Sequence, residues 1–201
     1  MIRRPHMKSR MVLALLLVAL GGCASDYRLV TANETQVAGS DMTVKPGSNW
    51  KRLPASAKQT RWEEVWTWNG SQLDRIALVG GLPDGKVITF RELKSDQQVP
   101  AFRADMTAQD LMSMVEVSYR VNGVTVFDFE TVEPVDFLGG PGVRLRYHYT
   151  SGIGIAKRGN CVMRVVDRKL YAMKLESVAG RYFDTVDPEF DRLIASAQLR
   201  N

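Results

Sequence analysis

The segment Val143-Arg144-Leu145-Arg146-Tyr147-His148-Tyr149-Thr150 decides the fold class, because apolar and polar side chains alternate along its whole length. Successive side chains of a β-strand point to opposite faces of a sheet, so this period of two predicts a strand with one buried face and one face in water. Further along the chain, the apolar runs 161–166 and 170–177 flank Asp167-Arg168-Lys169 and predict a hairpin. This half of the chain is therefore predicted to be an antiparallel sheet.

Two helices are predicted from capping residues and from apolar spacing. Thr107 and Asp110 have the spacing of a helix start, and the apolar residues that follow predict a helix over residues 108–121. Near the C-terminus, Asp187 is predicted to cap a second helix whose first position is Pro188. The core-facing side chains of that helix, spaced i, i+3, i+4 and i+7, are Phe190, Leu193, Ile194 and Ala197.

The dipeptide Asn69-Gly70 lies between two apolar segments and predicts a hairpin with a type I′ turn. In that register Glu64 faces Arg75 as a cross-strand pair of opposite charge. The alternative is a helix over residues 55–66, because Trp62 and Trp66 have helical spacing. The hairpin is favoured over this helix.

The resulting order of strands, helix, strands and helix predicts one α+β domain over residues 41–201, an antiparallel sheet packed with two main helices. This order resembles that of Mog1/PsbP-like domains over roughly residues 42–200, in the sequence of elements alone. Proteins with such domains bind other macromolecules or assist assembly, and most are not enzymes, so the resemblance implies a binding or assembly protein. A fold alone does not determine the function.

The N-terminus is predicted to be a cleaved signal peptide, residues 1–22. Its first ten residues carry Arg3, Arg4, Lys8 and Arg10 and no acid. The apolar run from Met11 to Leu20 follows, and as a helix it would span only about 15 Å, half of a ~30 Å hydrocarbon core. This length indicates a signal-peptide core and not a transmembrane helix.

The segment Leu20-Gly21-Gly22-Cys23 resembles the lipobox of bacterial lipoproteins. The resemblance implies cleavage before Cys23, a diacylglyceryl group on its thiol and tethering to a membrane, which two or more acyl chains make firm. Residues 23–40 are then a lipidated cysteine and a flexible tether. The same resemblance implies the periplasmic face of the outer membrane rather than the inner membrane, because Ala24 stands where an aspartate retains such lipoproteins at the inner membrane. The alternative is a secretory signal that ends at a cysteine by chance.

Charge and cysteine content exclude several classes of function. Four charges of the net +5 lie in the signal, which leaves +1 on the mature chain and gives no basis for nucleic-acid binding. If Cys23 carries lipid, Cys161 has no partner for an intramolecular disulfide, and it is predicted to be a buried thiol. One remaining histidine, His148, and one free cysteine do not make a zinc site, so neither a metal nor another cofactor is predicted.

No catalytic constellation is evident in the sequence. His148 lies on the polar side of its strand, without the nucleophile and acid that a catalytic triad needs. The carboxylates at Asp128, Glu130, Glu133 and Asp136 could form a hydrolytic pair, although a solvated strand face explains them equally well. The glycine-rich segments 139–142 and 152–154 precede no helix and are predicted to be turns.

Two groups of residues are candidates for ligand binding. Arg144, Arg146 and His148 share one strand face, extended by Arg164, and arginine suits phosphate or carboxylate ligands. The alternative is an ordinary solvated face. The tryptophans form the second group, because Trp62, Trp66 and Trp68 would share a hairpin face and tryptophan is enriched at binding hot spots. The alternative for these tryptophans is the edge of the core, which is favoured.

Three functions compete at this point. The leading hypothesis is a membrane-anchored periplasmic lipoprotein, non-catalytic, that binds an envelope protein or glycolipid or assists envelope assembly. The second is an envelope hydrolase that uses the carboxylates of residues 128–136. The third is a structural spacer within the envelope.

Overall fold

The computed structural model describes residues 27–47, 50–88 and 98–200, and these form eleven strands and two α-helices. In chain order the elements are β1 (Arg28–Leu29), β2 (Thr35–Gln36), β3 (Met42–Val44), β4 (Lys51–Arg52), β5 (Glu63–Thr67), β6 (Asp74–Pro83), α1 (Ala108–Val121), β7 (Phe127–Asp136), β8 (Pro141–Thr150), β9 (Ala156–Val166), β10 (Lys169–Val178), α2 (Arg181–Ala195) and β11 (Gln198–Leu199). Neither helix is long and apolar enough to cross a membrane.

Eight strands form one antiparallel sheet in the order β1-β4-β5-β6-β10-β9-β8-β7. The alternation in β8 is confirmed, since Val143, Leu145, Tyr147 and Tyr149 are buried. The hairpin of β9 and β10 is also confirmed, and Val166 pairs with Lys169 across a two-residue turn. Both turn residues have positive φ, as a type I′ turn requires. A second sheet, in the order β11-β3-β2, joins the C-terminus to the N-terminal part of the domain.

One helix packs on each face of the large sheet, so the domain has three layers. Helix α1 begins with the predicted capping box of Thr107 and Asp110, and it buries Leu111, Met114 and Val115 against one face. Helix α2 covers the other face with Phe183, Val186, Phe190, Leu193 and Ile194. The predicted α+β class with two main helices is therefore confirmed, but both sheet faces carry a helix and the polar side of β8 is not simply in water.

The predicted start of the second helix is wrong by about two turns. Helix α2 begins at Arg181, after Gly180, whose φ is +75°, and Pro188 lies inside the helix. Proline lacks an N–H and normally interrupts a helix. Here the apolar stripe continues through Phe183 and Val186, which are buried against the sheet, and this packing holds the extra turns. Asp187 does not cap the helix but faces the sheet.

The hairpin at Asn69-Gly70 exists, but its predicted register is wrong. Glu64 pairs with Leu78 and Trp66 with Ile76, so Glu64 does not face Arg75. A longer loop replaces the two-residue turn, because the Asp74 carboxylate accepts hydrogen bonds from the backbone N–H groups of Trp68 and Asn69 at 2.6 and 2.8 Å. The buried carboxylate of Asp74 thus organises the loop and determines the register.

The predicted flexible tether is also too long. Residues 27–40 belong to the folded domain, since β1 pairs with β4, β2 pairs with β3, and both Val30 and Val37 are buried. Strands β1 and β2 are two residues long, which is too short for a periodic signal in the sequence. The signal peptide 1–22, Cys23 and Ala24 lie outside the described residues.

Candidate functional site

The candidate functional site is a cleft of about 280 Å³ at one end of the sheet, beside the last turns of α1. The loop before β6, the turn between β8 and β9, and the segment before β5 form its walls. Its charged side chains are Arg75, Lys157 and Glu176. The uncharged polar and aromatic residues that line it are Gln59, Ser71, Ser118, Tyr119, Asn122, Tyr149 and Ser151.

Glu176 lies at the inner end of the cleft, in a network that continues into the core. Its carboxylate accepts hydrogen bonds from the hydroxyls of Tyr119 and Tyr149 and forms an ion pair with Lys174, Nζ to Oε2 3.1 Å. Lys174 and Glu176 are two residues apart on β10, so both point to the α1 face. The Tyr119 hydroxyl also lies 2.8 Å from that of Tyr147. Three elements, α1, β8 and β10, therefore converge on one buried ion pair.

The electrostatics of this network keep Glu176 ionised. Burial raises the pKa of Glu176, but the charge of Lys174 and the hydrogen bonds from Tyr119 and Lys174 outweigh that effect and hold it at about 2. Burial raises the pKa of the Tyr119 hydroxyl, and the nearby charge of Glu176 raises it further. Glu176 therefore stays ionised. It has no proton to donate as a general acid, and its pKa is too low for an effective general base.

Tyr147 occupies its place in the network because the facing residue on β9 is Gly159. The two residues pair across the strands, and a Cβ atom on Gly159 would lie 2.2 Å from ring atoms of Tyr147. That distance is far below van der Waals contact, so any larger residue at position 159 would displace the ring. The absence of a side chain at Gly159 therefore lets a buried aromatic ring lie against the backbone.

A second buried carboxylate, Glu63 on β5, has the opposite electrostatics. Burial raises the pKa of Glu63, and the hydrogen bond from the backbone N–H of Gln59, 2.7 Å, only partly offsets this. A raised pKa means that folding favours the protonated form, so its contribution to stability is complete below about pH 4 and is lost as the pH rises through the folded pKa.

The substitution Glu63→Gln is therefore expected to raise the melting temperature at pH 7, because it removes the buried charge and keeps an acceptor for Gln59. The gain should disappear in acid, where Glu63 itself is protonated. Circular dichroism melting at pH 7 and at low pH measures both effects, with Glu133→Gln on the exposed strand β7 as the control. A lower melting temperature at both pH values would contradict the prediction.

The arginines predicted to bind an anionic ligand are paired with acids of α2. The guanidinium of Arg146 lies 2.7 Å from Asp187 and 3.5 Å from Asp191, and that of Arg144 lies 3.2 Å from Asp191. Asn160 donates to Asp187 at 2.7 Å. The carboxylates of Asp187 and Asp191 therefore occupy the position that was predicted for an anionic ligand, because α2 covers this face of the sheet. Arg164 donates to the backbone carbonyl of Leu138 at 2.6 Å and lies outside the cleft.

His148 is an exposed strand histidine, in agreement with its predicted place on the polar side of the strand. Its imidazole lies 3.5 Å from both Asp128 and Glu130, and Glu130 also pairs with Arg158 at 2.7 Å. The hydrogen bond from Arg158 lowers the pKa of Glu130, the opposite of what a catalytic acid needs. These carboxylates lie on β7, the outermost strand, and do not line the cleft.

The tryptophans do not share one binding face. Trp66 is completely buried on the α2 side, and its indole N–H donates to Glu64 at 3.0 Å. Trp68 is half-buried against Trp50, with ring centroids 4.9 Å apart. Trp62 packs on the α1 side, under the guanidinium of Arg61. Trp66 therefore belongs to the core, which was the favoured alternative. Because its side chain is completely buried, it cannot contact a ligand in the folded domain.

Cys161 is a buried thiol on the α1 side of the sheet, as predicted, and burial raises its pKa to about 12. A thiol in this state is unreactive near neutral pH. The described residues also contain no group of three or more histidine, cysteine, aspartate and glutamate side chains that could hold a metal ion.

A second and shallower cavity, of about 480 Å³, lies at the opposite end of β6 and β10. Its lining includes Trp62, Gly80, Gly81 and Lys169, and the Tyr171 hydroxyl donates there to Asp41 at 2.7 Å.

Trp62 is the one predicted site residue that lines either cavity. The cleft residues Arg75, Lys157 and Glu176 were not predicted from the sequence. A usable signal was the charged pair Lys174 and Glu176 inside an otherwise apolar strand.

No protein-family model matches this chain, and no curated protein matches it significantly in sequence. Solved structures do match it. The solution structure of the cyanobacterial PsbP protein from Synechocystis sp. PCC 6803 has a TM-score of 0.55 at 17% identity, over 92% of this chain and 99% of that chain. The Ran-binding protein Mog1p of Saccharomyces cerevisiae has a TM-score of 0.52 at 9% identity, over 86% and 96% of the two chains. The chain shares its fold with these proteins, which confirms the resemblance in element order.

Proposed function

We propose that this protein is a lipid-anchored module of the bacterial envelope, held through Cys23 at the periplasmic face of the outer membrane, that binds a ligand in the cleft beside α1. Arg75 and Lys157 supply positive charge, and the surrounding hydroxyl and amide groups supply hydrogen bonds. This set of groups suits an anionic, hydroxyl-bearing ligand such as an acidic glycolipid, or an acidic segment of an envelope protein.

The observation that supports binding over catalysis is the state of Glu176, the carboxylate of the cleft. Lys174 and two tyrosine hydroxyls already hold it, and its pKa of about 2 keeps it ionised. The hydrolase alternative relies on the carboxylates of Asp128, Glu130, Glu133 and Asp136, which lie on strand β7 and do not line the cleft. The spacer alternative gives no reason for an open cleft that contains buried charges.

The test of the anchor compares the two cysteines of the chain. The full chain, expressed in a Gram-negative bacterium with a clickable palmitate analogue, is expected to carry the label and to fractionate with the outer membrane. The substitution Cys23→Ser should abolish the label and the processing, because it removes the acylated thiol. The matched control Cys161→Ala should keep both, because that thiol is buried in the fold. Label that persists in Cys23→Ser, or that is absent from the wild type, would contradict the proposal.

A further inference from the structure

The segment between Cys23 and the folded domain is short. Strand β1 begins at Arg28, five residues after Cys23, and an extended chain of that length spans at most about 18 Å. If Cys23 carries the anchor, the end of the domain that contains β1 therefore stays close to the membrane surface. The question is which side chains that end presents.

Strand β1 adjoins the cleft. The Tyr27 hydroxyl lies 2.8 Å from the Ser71 hydroxyl, and Ser71 lines the cleft. Leu29 pairs with Lys51, and Lys51 pairs with Thr67. Residues that pair across antiparallel strands project on the same face. Thr67 follows Trp66, which lies on the α2 side, so Thr67 and its partners Lys51 and Leu29 project on the α1 side. Leu29 and Lys51 therefore extend the α1 face beyond the cleft toward the edge of the sheet.

The most exposed large apolar side chains of the described residues are at this end. Ile153 is 84% exposed and Leu29 is 70% exposed. Ile153 is in the turn between β8 and β9, directly after Gly152, which lines the cleft, and this turn and the loop of Ser71 lie on opposite sides of β10 in the strand order. Tyr27 and Ile155 are also exposed. Apolar side chains therefore border the cleft on two sides.

Basic side chains accompany these apolar ones. Lys51 faces Leu29 across the strand pair, and Arg28 is exposed next to Leu29 on the edge strand β1, where it projects from the opposite face, the side of Trp66. Within residues 27–47, 50–88 and 98–200, no carboxylate forms an ion pair with either cation. Unpaired cations beside exposed apolar groups match the chemistry of an anionic lipid surface, whose head groups attract Lys and Arg and whose interface accepts leucine, isoleucine and tyrosine.

We propose that this end of the domain, the docking rim of Tyr27, Arg28, Leu29, Lys51, Ile153 and Ile155, lies on an anionic phospholipid membrane with the cleft opening onto it. The proposal rests on the anchor at Cys23 and adds an orientation. It makes the ligand of the cleft a component of the membrane surface, because the mouth of the cleft lies within the docking rim.

The test places a reporter on the docking rim of the full, acylated chain. The substitution Ile153→Cys provides a thiol for an environment-sensitive fluorophore, and labelling is selective because the Cys23 thiol is acylated and the Cys161 thiol is buried. The matched control is Val132→Cys on β7, at the far edge of the sheet, where Val132 is also exposed. In phosphatidylglycerol vesicles, a nitroxide-bearing lipid should quench the label at position 153 severalfold more strongly than the label at position 132.

A second arm tests the charges. Each of Arg28→Gln and Lys51→Gln should lower the ratio of docked to undocked domain by about fivefold, since one basic residue near an anionic surface contributes about a factor of five. The control Lys86→Gln, at the other end of β6, should leave the ratio unchanged. Vesicles of phosphatidylcholine should keep the anchor in place and reduce the quenching at position 153.

The outcomes separate the orientation from the anchor. Equal quenching at positions 153 and 132 in a chain that mass spectrometry shows to be acylated would overturn the docking rim and leave the anchor intact. A chain without acyl groups on Cys23 would overturn the proposed function and, with it, the docking. Shielding of position 153 in detergent, without vesicles, would mean that a second copy of the chain covers the docking rim and would also overturn the proposal.

Discussion

Replacing Lys174 with methionine is expected to lower the free energy of unfolding by about 3 kcal/mol, since removal of one partner leaves a buried charge without its counter-ion. Lys174 is almost completely buried, and its Nζ lies 3.1 Å from Glu176. Glu176 keeps its tyrosine hydrogen bonds and some exposure, which places the loss at the lower end of the range for such pairs. Urea denaturation at pH 7 measures it.

The double substitution Lys174→Met with Glu176→Gln should restore most of this stability, because it removes the second charge as well. The double-mutant cycle then gives the coupling between the two residues. The matched control is Arg120→Met, which breaks the exposed pair of Arg120 and Glu116 on α1 and should cost no more than about 0.5 kcal/mol. Wild-type stability for Lys174→Met would contradict the buried ion pair.

The pH dependence of this pair follows from the lowered pKa of Glu176. The carboxyl is held at about 2 in the folded protein against about 4.3 in an unfolded chain, so its stabilising contribution is complete above about pH 4.3 and is lost as the pH falls through 2. In Lys174→Met the folded pKa rises, so acid unfolding should begin at a higher pH than in the wild type.

The substitution Trp66→Ala is expected to cost about 3–5 kcal/mol, the usual range for truncating a buried tryptophan. Its ring is completely buried, and its N–H donates to Glu64, which also pairs with Arg52 at 2.9 Å. Trp66→Phe should lose less, about 1.5–3 kcal/mol, since it keeps most of the volume and removes one hydrogen bond to a charged group. Guanidinium denaturation followed by circular dichroism gives both values.

The half-buried Trp68 provides the matched comparison for Trp66. Trp68→Ala should cost clearly less, because its ring packs at the margin of the core against Trp50. If Trp66→Ala left the stability unchanged and instead weakened association with envelope material, the assignment of Trp66 to the core would be wrong. The earlier hypothesis of a tryptophan binding face would then return.

Much of the fold was predictable because local rules govern it. The alternation of residues 143–149, the capping box at Thr107 and the turn between β9 and β10 each follow from a few neighbouring residues. The errors arose where a contact that no short sequence motif specifies determines the local structure. Asp74 determines the loop after Asn69-Gly70 through hydrogen bonds, and core packing extends α2 past Pro188.

The candidate site was predicted poorly for the same reason. Arg144 and Arg146 were assigned to a solvated or ligand-binding face. In the structure they form ion pairs with two carboxylates of α2, those of Asp191 and Asp187. Glu176 and Lys174 are two charges within an apolar strand, and only the packing of α1 shows that they are a buried, satisfied pair.

By itself the sequence determined the long strands β8 to β10, helix α1, the α+β class and the lipobox-like segment that ends at Cys23, since periodicity and short motifs depend on neighbours along the chain. The tertiary structure decided which faces are covered, which charges are paired and where a cleft remains. Alternation assigns a side chain to one face of a strand, but it does not specify what packs there. That depends on residues such as Asp187, forty-one positions from Arg146 in the chain and 2.7 Å from it in the fold.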